Sequence, residues 1–220
     1  MEQGYAHQPT PILSAAECEQ LRTLNTEDAL FRARIQMERF RFGVGSYGYF
    51  AKPLPELVSE LRAAAYPHLV PVANEWMERL ELSKRYPDDL AAYLATCREA
   101  GQTRPTPLLL HYRAGGYNCL HQDLYGEEAF PFQIVVQLSK PQEEFTGGEF
   151  LMVEQRPRAV GRQRRPAWAG RNGGVYHAIS PDPRQPGLLP CQRETWGEPH
   201  PFRRALHAGH HLSRCGMMEL

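Results

Sequence analysis

From Pro105 onward the apolar residues change their period, and that change limits the folds open to this chain. Upstream, Leu57, Leu61, Ala64 and Ala65 recur at helical spacing. Downstream, Pro107 to Leu110 is a short apolar run of strand length, and Phe132 to Leu138 is a second strand. In the second, Phe132, Ile134, Val136 and Leu138 alternate with Gln133, Val135 and Gln137. A helical first part followed by strands predicts an α+β protein whose apolar strand face packs on helices or on an opposing sheet.

Between the two strands lies Tyr112-Arg113-Ala114-Gly115-Gly116-Tyr117-Asn118-Cys119-Leu120-His121-Gln122-Asp123. His121 and Asp123 are two residues apart, so in extended backbone their side chains share a face. One imidazole and one carboxylate on one face are two thirds of the facial set that holds a non-haem Fe(II) and leaves positions open for chemistry. The competing reading is a structural hydrogen-bonded pair, and the flanking strands favour the metal. Cys119, close by, reads as a buried small residue, because a soft thiolate would suit zinc better.

The order of these motifs resembles the iron(II)/2-oxoglutarate-dependent dioxygenases, in their prolyl-hydroxylase-like branch. The residues that carry the resemblance are Tyr112 and Gly115, then His121 and Asp123, then Gly147-Gly148-Glu149. It extends from Ser14 to about Arg158 and is most specific from Thr106 onward. It implies a double-stranded β-helix (jelly roll) core flanked by N-terminal helices. It also implies Fe(II) held by His121 and Asp123, with 2-oxoglutarate as cosubstrate, O2 as oxidant and ascorbate as an accessory reductant. Tyr112, through its Tyr-x-x-Gly match, and Gln137, on the strand face turned from the helices, are the candidates for binding 2-oxoglutarate. The family further implies a second His from a distant strand and a basic residue about ten positions later. This sequence has neither in the matching place.

The chain has 220 residues, enough for one domain, and 42% hydrophobic content, enough for a core. Its formal net charge is zero, which predicts no nucleic-acid or membrane partner and leaves a small-molecule or peptide substrate. Met1 to Pro11 has no signal-peptide pattern, and no apolar run approaches a membrane span. Five unpatterned cysteines favour a reduced, cytoplasmic protein. Oligomeric state and substrate identity are not legible.

Residues 1–104 read as a helical part packing on the core, and 105–158 as a partial oxygenase core. Ser14-Ala15-Ala16-Glu17 is a capping box, with Leu21 and Leu24 continuing an apolar face. A second helix is expected from Thr26 to Phe40, then a Gly-rich aromatic loop or hairpin from Gly43 to Tyr49. Leu54 to Leu80 reads as a helix interrupted at Pro67 and Pro71, with Trp76, Met77 and Leu80 in the core. A further helix follows Pro87, from Asp88 to Ala100. Arg39 to Phe42 and Tyr47 to Phe50 form a basic and aromatic cluster, either a packed junction or the lining of a substrate entrance.

After Arg158 the composition shifts. Residues 159–220 hold nine Arg, no Lys, four acids, seven Pro and five of the nine His, with no strand or helix period. The C-terminal strands of a jelly roll are therefore expected to be missing or disordered, and the segment reads as an irregular, out-of-frame tail. In one shifted frame the codons starting at Thr195-Trp196 can spell His-Gly-Val, then Ser-Gly-x-Arg-Tyr-Thr-Leu and an apolar strand. Met217-Met218 then becomes a forced stop. That string resembles the absent family ending, and a one-base insertion or deletion near codon 158 accounts for it. His177, His200, His207, His210 and His211 are poor substitutes for the third ligand, because a facial set needs a rigid strand to place it.

The chain is thus expected to be an oxygenase of impaired activity. The alternatives are a non-catalytic jelly-roll binding protein, a cupin-like metal isomerase or hydrolase, and, more distantly, a nucleic-acid binder acting through its basic tail.

Overall fold

A computed structural model describes residues 5–121, 128–154, 163–168, 175–179 and 215–219. Strand β1 (Tyr5–His7) leads to helix α1 (Ala15–Thr23). Ser14 caps α1: its hydroxyl accepts from Glu17 N at 3.2 Å, and the Glu17 carboxylate accepts from Ser14 N at 2.7 Å. The four-residue signal at Ser14 therefore acts as a capping box in the fold.

The expected helix over 26–40 is a correction. The chain makes two short 3-10 turns, Leu24–Thr26 and Asp28–Leu30, then strand β2 (Phe31–Gln36) and a single helical turn, α2 (Met37–Phe40). In β2, half-buried Phe31, Ala33 and Ile35 alternate with exposed Arg32, Arg34 and Gln36. That is a period of two, stabilised by pairing with β4 (Ser46–Phe50). Between α2 and β4, Gly43–Val44 form the short strand β3. Residues 1–104 are thus only partly helical, since β1, β2, β3 and β4 all come from them.

Helix α3 (Glu56–Arg79) runs unbroken through Pro67 and Pro71, against expectation. Each proline removes one N–H, which frees the carbonyl four residues earlier. Both prolines sit on the exposed side of the helix, where water can satisfy those carbonyls. Helix α4 (Leu90–Glu99) starts at Asp89, whose carboxylate accepts from Ala92 N at 2.8 Å.

The remaining strands are β5 (Leu108–Tyr112), β6 (Tyr117–Asn118), β7 (Phe132–Gln137), β8 (Phe150–Glu154), β9 (Gln163–Trp168), β10 (Val175–Ile179) and β11 (Cys215–Glu219). Among the described residues the main sheet has seven antiparallel strands in the order β1-β10-β7-β11-β5-β4-β2, with two ribbons, β3-β6 and β8-β9. The architecture is α+β, as expected. The expectation that C-terminal strands are missing is corrected for three segments: β9 pairs β8, β10 joins β1 to β7, and β11 fills the slot between β5 and β7. The physical reason is that ladder hydrogen bonds belong to the backbone. The edges of β5 and β7 need partners whatever the side-chain period of the segment that supplies them.

The sheet has two distinct faces. Leu109, Ile134, Val136 and Leu138 pack with Leu21 of α1 and Val58 of α3 in one cluster. Leu108, Leu110 and Tyr112 turn the other way and pack with Met37, Tyr47 and Tyr49. A third cluster joins the later half of α3 to α4 through Tyr66, Met77, Tyr86, Tyr93 and Phe132, with Trp76 and Leu80 against it.

Candidate active site

The backbone places Tyr112 and Gln137 on one sheet face. Leu110 pairs with Met217, and Met217 with Gln137, so the three share a row; Tyr112 stands two residues beyond Leu110 on β5. Two strand spacings across and two residues along put the Tyr112 and Gln137 Cα atoms about 12 Å apart. Both side chains are buried, so Gln137 does not face bulk solvent.

The chain leaves β5 at the end where Tyr112 sits. It turns at Arg113 to Gly116, with Gly116 N donating to Arg113 O at 2.8 Å, and enters β6. Val44 pairs with Tyr117 and Gly43 with Asn118. Gly43 has φ +138°, and a Cβ there would lie 2.1 Å from Tyr117 O, so this close ribbon requires glycine. Cys119 then donates its N–H to Phe42 O at 2.7 Å, and its thiol points at Arg41 O at 3.6 Å. Cys119 is thus half-buried and engaged with the β3 side, rather than fully buried as expected.

His121 follows, exposed, with Nδ1 2.8 Å from Cys119 O. A carbonyl can only accept, so Nδ1 carries a proton, and when the ring is neutral its lone pair is on Nε2. That is the tautomer and second-contact pattern of a metal-ligating histidine. The His121 ring therefore fits a metal ligand. Asp123 lies outside the described residues, as do His200, His207, His210 and His211. His177 falls in β10, opposite Ile134. Among the described residues no group of three His, Cys, Asp or Glu residues converges.

The described chain resumes at Glu128, where several contacts hold the backbone. Gln102 grips the Glu128 backbone on both sides: Glu128 N donates to Gln102 Oε1 at 2.8 Å, and Gln102 Nε2 donates to Glu128 O at 3.2 Å. The Tyr93 hydroxyl donates to Glu128 O at 3.2 Å, and that of Tyr86 to Ala129 O at 2.7 Å. Lys84 pairs with the Glu128 carboxylate at 2.8 Å. Burial, reinforced by neighbouring groups, pushes the Tyr66 and Tyr86 phenols up to about 12 and raises Tyr93 as well, so these tyrosines act as neutral donors. Sequence reasoning missed this anchor; Gln102 sits just past α4 with no motif to mark it.

A helix-backed antiparallel sheet thus carries, at one end, a histidine whose ring fits a metal ligand. A family model, described as an oxygenase catalysing oxidative methylation of damaged DNA, matches residues 45–176, more than half of the chain, and the chain belongs to that family. The chain is also 50% identical over 113 residues to an uncharacterized Mycobacterium tuberculosis protein, found in two strains. The match covers 51% of this chain and 48% of those proteins, so the chain spans about half the length of the curated relatives it matches. Among solved structures, a viral collagen prolyl hydroxylase from Paramecium bursaria Chlorella virus-1, in complex with 2-oxoglutarate, aligns with TM-score 0.48 and 13% identity, covering 99% of this chain and 94% of that one. Among the described residues no helix is long and apolar enough to cross a membrane.

Proposed function

We propose that this protein is an Fe(II)- and 2-oxoglutarate-dependent dioxygenase that hydroxylates a C–H bond. The observation that carries the reading is His121, held in the ligating tautomer by Cys119 O at the end of the sheet where Tyr112 lies. Membership in an oxygenase family supports it. His121 and Asp123 would hold the metal, and Tyr112 and Gln137 would bind 2-oxoglutarate. The bound iron supplies the oxidising chemistry: 2-oxoglutarate, O2 and R–H give succinate, CO2 and R–OH. The chain's own part is to orient the His121 ring, hold the cosubstrate on a buried sheet face and keep water from it.

The substrate we take from the family description is a damaged DNA base, in place of the small molecule or peptide expected from the balanced charge. Zero net charge removes long-range steering and says nothing about a local basic surface. The test is succinate formation from 2-oxoglutarate, followed with and without added Fe(II). The reading expects iron-dependent succinate that disappears in His121→Ala. Equal succinate from His121→Ala and the natural chain would overturn it.

A further inference from the structure

The surface beside His121 is apolar, aromatic and basic together. Among the described residues six large hydrophobic side chains are exposed, and five of them gather here: Phe40 (53%), Phe42 (46%), Val44 (38%), Tyr117 (46%) and Leu120 (56%). They form one patch. The Phe40 and Phe42 rings stack at 5.5 Å and 21°. Val44 pairs with Tyr117, and Phe42 O holds Cys119 N, two residues before His121. Exposure on this scale costs free energy that a partner would recover, which marks an interaction surface.

Charge selects the partner. Segments 39–44 and 113–121 contain three exposed arginines, Arg39, Arg41 and Arg113, and no acid. Among the described residues none of the three forms an ion pair. The adjacent Glu38 carboxylate accepts from Gly45 N at 3.2 Å. Rings that offer flat apolar faces, flanked by guanidinium groups, match unpaired nucleotides, whose bases stack and whose phosphates carry the negative charge. A duplex hides its base faces and would leave the rings unused.

We infer that Phe40 and Phe42, with Arg39, Arg41 and Arg113, form a stacking platform for single-stranded or extruded nucleotides that feeds a base toward His121. The inference rests on the nucleic-acid substrate proposed above and adds the residues and the strandedness. Arg39 to Phe42 lie before the residues the family model matches, and Arg113 lies within them.

The test is fluorescence anisotropy of a labelled single-stranded oligodeoxynucleotide and its duplex, across a salt series, with Ile12→Ala as an exposed apolar control outside the patch. Circular dichroism checks that each variant folds. Phe40→Ala/Phe42→Ala should weaken single-strand binding about 5- to 150-fold for each base that no longer stacks. Arg39→Gln/Arg41→Gln should flatten the log–log salt slope by about 0.7 for each phosphate no longer neutralised. If the natural chain binds neither probe at low salt, the nucleic-acid substrate fails and the platform with it. If it binds, but the folded Phe variant binds equally well or the duplex is preferred, the platform alone is overturned. A concentration-dependent dimer in light scattering, abolished by the Phe variant, would assign the patch to a second copy of the chain and also overturn it.

Discussion

Replacing Gln102 with Ala removes both hydrogen bonds that hold the Glu128 backbone. Glu128 O keeps the Tyr93 hydroxyl at 3.2 Å and is only partly deprived, whereas Glu128 N is left without the acceptor that Gln102 supplies. At about 0.5–1.5 kcal/mol net for each bond, the two sum to about 1–3 kcal/mol, and the retained Tyr93 hydrogen bond places the expectation in the lower half. The cost falls five residues after Asp123 in the chain, so it should appear in two measurements. In urea unfolding the stability should drop by about 1–2 kcal/mol, as a lower midpoint at constant slope. In an anaerobic Fe(II) titration the apparent affinity should fall by up to about tenfold, as expected if part of the cost loosens Asp123. Tyr93→Phe, which removes a single donor to the same carbonyl, should show a smaller change in both. An unchanged unfolding midpoint in Gln102→Ala would refute the anchoring argument. A lowered midpoint with unchanged iron affinity would show that the clamp serves only the fold and does not position Asp123.

Three further outcomes are expected. Tyr112→Phe and Gln137→Leu should each raise the KM for 2-oxoglutarate severalfold while Fe(II) affinity holds, read by succinate formation at varied cosubstrate; an unchanged KM in both removes them from the cosubstrate site. In alkaline solution Tyr66 and Tyr86 bind their protons up to about 12, above the usual phenol value. Their stabilising contribution is therefore present below the unfolded value of about 10 and disappears as pH rises toward about 12, so tyrosinate absorbance should show a late phase coinciding with unfolding, and its absence would contradict their burial. Finally, an independent DNA read across codons 150 to 170 should reveal a one-base change that restores a frame ending after a His-Gly-Val and a Ser-Gly-x-Arg-Tyr-Thr-Leu; the frame as given would instead make this chain a genuine two-ligand variant.

Local chemistry is legible in the sequence because its causes lie within a few residues. The Ser14–Glu17 capping box and the alternation in Phe132 to Leu138 each depend on neighbours along the chain, and both appear in the structure. Residues 31–40 mislead a linear reading because Phe31, Phe40 and the residues between fit a helical period loosely. The period-two alternation of Phe31, Ala33 and Ile35 with Arg32, Arg34 and Gln36 is short, and pairing with β4 selects the strand it permits. Pro67 and Pro71 mislead for another reason: tolerance of a proline depends on whether the freed carbonyl meets water or core.

What the sequence determined by itself is the chemical alphabet of the site. His121 and Asp123 stand two residues apart, Tyr112 precedes a glycine turn, and Gln137 lies on the strand face opposite the helices. These follow from backbone periodicity alone. What tertiary structure decided is what surrounds them. The carbonyl of Cys119 sets the His121 tautomer, Gln102 and two buried tyrosines hold the backbone at Glu128 and Ala129, and β3 carries Phe40 and Phe42 to the histidine's side. Those partners are distant in sequence or local only after the chain turns, and their energies depend on burial and direction, which a linear pattern does not carry.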